Sequence, residues 1–235
     1  MSSDPALPLT GTTAFITGAS QGIGRQIARS FAEAGGSVAL AARSDGIYET
    51  SELIDHPDRT LPVETDVTEE SSVSDSIEST VEEFGGLDCV VNNAGIAGPT
   101  APIEDVSLED WEQTLAVNVT GMYLVLKHAS PYLRASDRGR VINIASISGK
   151  RPLDQRTPYT TSKMGVIGLT RTAAVEFAED DVTVNAICPG ATRGPRIDDV
   201  IEKQADQLGI DFEEAKRRTF TEDAILGELT DPEDV

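Results

Sequence analysis

Thr17-Gly18-Ala19-Ser20-Gln21-Gly22-Ile23-Gly24 is the stretch whose reading sets the fold. Residues 12–16 before it form a short β-rich run. After it, Ile23, Ile27, Phe31 and Ala34 recur at helical spacing, and Gly35-Gly36 closes the helix. The order is therefore strand, glycine turn, helix. Glycines in such a turn allow a tight reversal and close backbone approach to a pyrophosphate, which then meets the helix N-terminus. The spacing G-x-x-x-G-x-G alone is weak evidence. The flanking strand and helix make Gly18, Ser20, Gln21, Gly22, Ile23 and Gly24 a candidate nucleotide cradle.

The next strand, Val38-Ala39-Leu40-Ala41, is continuously apolar, as a buried parallel strand should be. Ala42 and Arg43 stand at its end. In a dinucleotide fold, an acid about 20 residues past the glycines binds a ribose 2′-hydroxyl, whereas an arginine accommodates a 2′-phosphate. Arg43 is at that distance and an acid is absent from the strand tip, which favours NADP, with NAD as the alternative.

Residues 45–59 are polar, with at best one short helix around Glu52–Ile54. A third strand, Leu61-Pro62-Val63, leads to Asp66-Val67, and Thr68 is the expected N-cap of a helix through Val73, Ile77, Val81 and Phe84. Leu87-Asp88-Cys89-Val90-Val91 is the fourth strand and runs into Asn92-Asn93-Ala94-Gly95. These amides either face a ligand or cap the sheet. A long helix is expected from Leu108 to Ala135, with Asn118 inside it. An interior Asn disfavours helix and suggests a kink or a hydrogen-bonding task. Val141-Ile142-Asn143-Ile144-Ala145 is the fifth strand, with Ser146 at its tip. Val182–Ile187 is the sixth, closed by Cys188-Pro189-Gly190. Strands alternating with helices predict a single-domain α/β, Rossmann-type doubly wound parallel sheet, with every candidate group on one rim.

Tyr159 and Lys163 stand four residues apart, on one face of a helix. A free phenol has a pKa of about 10. A fixed positive charge beside it favours the phenolate, so the pair suits proton exchange with an alcohol or carbonyl oxygen. A basic loop (Lys150, Arg151, Arg156) precedes this helix. Arg151, Arg156 and Arg196 have two readings, an anionic substrate or pairing with surface acids, and the second is the expectation.

Composition bounds the rest. The chain has 235 residues, with 40 acidic against 19 basic groups and a formal charge of −21. Such a surface repels nucleic acid and anionic membranes. The acids are spread through the chain, and the basic set is poor in lysine, which suggests adaptation to high salt. There is no apolar run of about 18 residues to span a membrane. Residues 1–8 read as a polar tail without signal-peptide character, and 9–235 as one domain in which 193–225 form a flap over the site. Cys89 and Cys188 read as free thiols of a cytoplasmic protein, too few for a metal cluster. No metal is expected.

Taken together, these residues resemble the short-chain dehydrogenase/reductase family from about Leu9 to Gly190. Thr17–Gly24 is similar to its TGxxxGxG cofactor motif, Asp66-Val67 to its adenine-contacting pair, Asn92–Gly95 to its NNAG motif, and Pro189-Gly190 to its PG turn. Asn118, Ser146, Tyr159 and Lys163 match its catalytic tetrad in order and spacing. The resemblance implies Tyr159 as general acid/base and Lys163 as its electrostatic partner and ribose ligand. It implies Ser146 as a hydrogen-bond donor to the reacting oxygen, and Asn118 as the holder of a water that links Lys163 to solvent. Asn93, Tyr159, Lys163 and Thr192 join the cofactor set. Thr192 is there as the candidate substitute for a threonine that many relatives carry at the position of Gly194. Within the family, the sequence looks most like 3-oxoacyl-thioester reductases from bacteria or archaea. A sugar or alcohol dehydrogenase is the alternative, and a non-catalytic nucleotide-binding redox sensor a further one. An epimerase or dehydratase on the same fold fits the motifs less well. A small carbonyl or alcohol substrate and a homodimer or homotetramer are implied. Family members usually continue past Val235 with a last helix and a seventh strand, so one sheet edge is expected to be unpaired.

Overall fold

Strand β1 (Thr13–Thr17) is buried along its whole length. Its odd and even residues explain the layers. Phe15 packs with Ala39, Val90 and Val141 on one face of the sheet. Ala14 and Ile16 pack with Val38, Leu40 and Val91 on the other. A strand apolar on both faces must be covered twice, and helices do so here. The computed structural model describes residues 7–222, 224 and 227–235. Residues 1–6 of the expected tail, and 223 and 225 of the expected flap, lie outside the described residues.

The remaining strands are β2 (Ser37–Ala42), β3 (Thr60–Glu64), β4 (Cys89–Asn92), β5 (Arg140–Ile144) and β6 (Thr183–Ile187). All five ladders are parallel, and the six strands run in the order β3-β2-β1-β4-β5-β6. Helices α1 (Gly22–Glu33) and α2 (Gly46–Glu52) cover one face, with Ala28, Ala32 and Ile47 in its core. The other face is covered by α3 (Glu70–Phe84), α5 (Gly121–Ala135) and α6 (Thr157–Glu176), through Val73, Ile77, Val125, Leu133 and Phe177. Burying each such side chain contributes about 1.5–3 kcal/mol. The order reverses between β1 and β4, and beyond their carboxyl ends a crevice opens. At the far side β6 is an edge strand, with Thr183, Asn185 and Ile187 exposed.

Three local expectations need correction. The second helix is not centred on residues 52–54 but spans Gly46–Glu52. Its anchor is Thr50, fully buried, whose hydroxyl donates to Ala19 O and to Gly46 O, both at 2.9 Å. Helix α3 begins after Glu69, without a side-chain cap. Thr68 instead donates its amide and hydroxyl to Asp66 Oδ1, at 2.9 and 2.7 Å, which makes a local Asx-type turn. The long helix around Asn118 is broken into α4 (Leu108–Leu115), a π-helical turn (Ala116–Thr120) and α5. Inserted π turns cluster where a helix presents a side chain for a task.

Helix α7 (Pro195–Leu208) and the short α8 (Phe212–Lys216) carry their own apolar cluster of Ile201, Ala205, Ala215 and Leu229. Gln207 Nε2 donates to Thr100 O at 2.6 Å, tying this segment to the loop after β4.

Candidate active site

The glycine turn is fixed by close packing. A Cβ on Gly24 would lie 2.3 Å from Gly18 O, and one on Gly18 2.8 Å from Asn93 Nδ2. Asn93 donates that amide to Thr17 O and Gly18 O at 2.9 and 3.1 Å. The Thr17 hydroxyl accepts from the Asn93 and Ala94 amides at 2.9 and 3.0 Å. The segment after β4 therefore clamps the turn after β1. Asn92, by contrast, points away from the rim: its amide donates to Asn143 Oδ1 at 2.9 Å, and Asn143 donates to Thr170 Oγ1 at 2.9 Å. Of the two open readings for these amides, Asn92 takes a sheet-to-helix link, and Asn93 lines the crevice.

A groove of about 630 Å³ follows the crevice and is lined by Gly18, Ser20, Gln21, Gly22, Ile23, Arg43, Asp66, Val67, Asn93 and Thr192, all expected there, with Gly24 packed beneath. Helix α1 opens onto it with no side-chain cap and no acid in its first turn. The orphan N–H groups of a helix start are then left for an anion. Gly22 has φ +55° and open space where a Cβ would stand, so bare backbone faces the groove. These features fit the pyrophosphate of a dinucleotide. Arg43 lies 3.5 Å from Asp66 Oδ2. Partial burial pushes the Asp66 carboxyl up. The Thr68 bonds and the Arg43 guanidinium outweigh it and hold the group below its ordinary value.

A second cavity of about 360 Å³ adjoins the groove and shares Ile23, Asn93, Thr192 and Arg196 with it. Ser146, Tyr159 and Lys163 line it together. Ser146, extended at the tip of β5, accepts from Ser148 N at 3.1 Å. Lys163 Nζ donates to Ile144 O at 2.8 Å and lies 5.8 Å from the centre of the Tyr159 ring. Lys163 as a whole is 3 % exposed. Burial pushes its pKa down to about 7; the nearby Arg196 adds to the shift and Cys188 opposes it. A Cβ on Gly95 would stand 3.1 Å from Asn118 Oδ1 and 3.7 Å from Lys163 Nζ, so glycine leaves room for both.

Asn118 does not adjoin the cavity as a free amide. It accepts from Ile96 N at 2.8 Å and donates to Ile96 O and Ser162 Oγ, both at 3.0 Å. Ser162 donates onward to Tyr159 O at 2.7 Å. The side chain is a clamp between the loop after β4 and the start of α6. Thr192 donates to Gly190 O at 3.3 Å, and Gly194 has φ +139° at the start of α7, a conformation that threonine rarely adopts.

The expectation that the arginines pair with surface acids fails for Arg156. This side chain is 4 % exposed. It donates to Thr100 Oγ1 at 3.1 Å and Ala97 O at 2.8 Å, and its guanidinium carbon lies 5.0 Å over the Tyr159 ring. Gln155 before it has φ +55°, which for a residue with a Cβ costs roughly 1–2 kcal/mol. Arg196 donates to Gly95 O at 3.2 Å. Thr17 and Gly95 belong to this geometry without having been given a role from the motifs, and Arg156, offered as a contact for an anionic substrate, takes the reading that was not preferred for it, that of a residue unpaired with surface acids. Thr17 and Gly95 stood inside quoted motifs, while nothing local marks Arg156 as buried.

Comparison with known proteins agrees with this geometry. The short chain dehydrogenase family matches residues 12–205. The chain is 33% identical over 229 residues to the D-beta-hydroxybutyrate dehydrogenase of Cupriavidus necator, covering 97% of this chain and 88% of the relative. It is 37% identical over 185 residues to the cis-4-hydroxycyclohexanecarboxylate dehydrogenase of Sinomonas cyclohexanicum, covering 78% and 74%. An NAD+-bound xylitol dehydrogenase superposes with a TM-score of 0.91 at 29% identity, covering 96% of this chain and 89% of that one. The chain belongs to the short-chain dehydrogenase/reductase family, oxidoreductases of hydroxyl and carbonyl groups that use NAD(P). No helix among the described residues is long and apolar enough to cross a membrane.

Proposed function

We propose that the protein moves a hydride between NADP(H) and a secondary alcohol or ketone, with Asn118, Ser146, Tyr159 and Lys163 as its catalytic set. The observation that carries the reading is the convergence of Ser146, Tyr159 and Lys163 on a cavity continuous with the glycine groove. The bound nicotinamide supplies or accepts the hydride. Tyr159 exchanges a proton with the substrate oxygen, and Ser146 Oγ donates a hydrogen bond to that oxygen. The Lys163 ammonium favours negative charge on the phenol oxygen and holds the nicotinamide ribose hydroxyls. Asn118 acts by holding the Ile96 loop and the start of α6 in register. Gly18, Ser20, Gln21, Gly22, Ile23 and Gly24 cradle the pyrophosphate, with Asn93 fixing the turn. Asp66 and Val67 take the adenine, and Thr192 the carboxamide.

Arg43 at the tip of β2 supports NADP over NAD, because a guanidinium there pairs with a 2′-phosphate. A 3-oxoacyl thioester or related ketone is the leading substrate, and the names of the hydroxybutyrate, hydroxycyclohexanecarboxylate and xylitol dehydrogenases support alcohol oxidation more broadly. We also infer a cytoplasmic location, supported by the free thiols of Cys89 and Cys188, and a homo-oligomer, supported by the exposed Leu108, Tyr123, Met164 and Val175. The spread of acids supports a protein suited to high salt, as in a halophile.

The test is cofactor oxidation with a panel of ketones, thioesters and sugars, with NADPH and NADH side by side. Tyr159→Phe is expected to lose turnover by a factor of at least roughly 100 while keeping NADPH binding. Near wild-type turnover in that variant overturns the catalytic reading, and faster turnover with NADH overturns the Arg43 argument alone.

A further inference from the structure

We infer that the cavity takes a substrate carrying a carboxylate a short chain away from the reacting hydroxyl or ketone, with the buried Arg156 as its counter-ion and Arg196 as a second cation at the rim. The inference rests on the oxidoreductase reading above, narrows its ketones and alcohols to those bearing a carboxylate, and sets the uncharged thioester aside.

The chain carries a formal −21, yet this cavity is cationic. Arg156, Lys163 and Arg196 line it. Among the described residues, the one carboxylate in its wall is Glu228, which is already paired with Arg193 at 3.2 Å. Arg156 is the clearest case. Its guanidinium has five N–H groups, and among the described residues two are used, on a hydroxyl and a backbone carbonyl. Its Nε is buried without a partner among the described residues. A buried charge without a counter-charge is strongly disfavoured, and a chain with 40 acids had ample means to supply one. A ligand that brings the negative charge resolves the imbalance.

The position selects the ligand. Arg156 lines the cavity but not the groove, so the cofactor phosphates do not answer to it. Its guanidinium stacks over the Tyr159 ring at 5.0 Å, so an anion beside it sits close to the reacting oxygen. Ile147, Leu153, Val200 and Phe220 offer apolar wall for a hydrocarbon portion. The volume of about 360 Å³ suits a small acid. Burial disfavours the charge on Arg156, the Tyr159 phenol offsets part of this and the nearby Arg196 adds to it, a strain that an anion beside Arg156 relieves.

The experiment compares kcat/KM for 3-hydroxybutanoate and for its methyl ester, in the wild type and in Arg156→Gln and Arg156→Lys. The ratio within each protein cancels any general loss through Tyr159. The expected wild-type preference for the acid is roughly tenfold to a hundredfold, from one charge-assisted contact. Arg156→Gln should bring the ratio to about one, and Arg156→Lys, a point charge without the guanidinium fork, should keep part of it. A wild-type ratio of one or less, or a ratio unchanged in Arg156→Gln, overturns the inference while leaving the oxidoreductase reading in place. If Arg156→Gln does not fold, the wild-type ratio and Arg156→Lys decide. If neither compound turns over, calorimetric titration of 3-hydroxybutanoate into the cofactor-loaded wild type and variants decides. Binding weakened by Arg156→Gln or Arg156→Lys supports the inference, and no binding to the wild type refutes it.

Discussion

Lys163 is placed at a cost to the fold. Its amine is almost wholly removed from water, held by one carbonyl, and its pKa is pushed down to about 7. In the unfolded chain the same amine titrates near its ordinary 10.5. Between these values the unfolded state binds the extra proton, so stability of the cofactor-free protein rises with pH from about 7 towards 10.5. Below about pH 7 both states are protonated and the penalty is present in full. Lys163→Met removes the titration. The variant should melt at a higher temperature than the wild type near pH 6.5, keep a clearly smaller advantage near pH 9, and turn over nothing. Thermal melts at the two pH values check it, and a constant difference between the proteins would mean that Lys163 does not titrate in this window. A residue that costs stability where it serves the site is a familiar compromise.

At the scale of elements, the helix around Asn118 is interrupted where its side chain ties two other segments together. The π turn swings Asn118 against Ile96 and Ser162, where its amide makes three hydrogen bonds. Asn118→Ala leaves partly buried backbone groups of Ile96 unpaired and should destabilise the fold by about 1–3 kcal/mol. It should also lower kcat, because Gly95 and the Lys163 pocket hang from the same loop. Urea unfolding together with steady-state kinetics tests both, and an unchanged unfolding midpoint would remove the clamp from the account. Much at this scale was legible in the sequence. Strands such as Val38–Ala41 declare themselves because burial on both faces demands an unbroken apolar run, and the turn at Gly18–Gly24 because only glycine tolerates its contacts. Helix α2 was placed too late, because what holds it is Thr50 reaching across to Ala19, a contact 31 residues away that no local pattern displays. Arg156 was misjudged for the same reason. Its surroundings come from Ala97 and Thr100, and a loop arginine looks solvated until those partners are in place.

For the whole molecule, charge is the dominant feature. A formal −21 on 235 residues repels itself across the surface. The Debye length falls from about 10 Å at 0.1 M salt to about 3 Å at 1 M, so salt should silence most of that repulsion. Cation-rich contacts such as Arg217 and Arg218 on Glu214, exposed at the surface, add little by themselves. The melting temperature should therefore climb by several degrees between dilute buffer and multimolar KCl. A protein equally stable at both extremes would show that the acids are spaced widely enough to ignore one another.

Arg196 stands in the wall common to the nucleotide groove and the neighbouring cavity, and it also bears on the field felt by Lys163. Any anion that arrives on one side of that wall alters the reception awaiting the molecule on the other. Cofactor and substrate are thereby thermodynamically linked, and the factor by which one sharpens or blunts the grip on the other must be returned in equal measure.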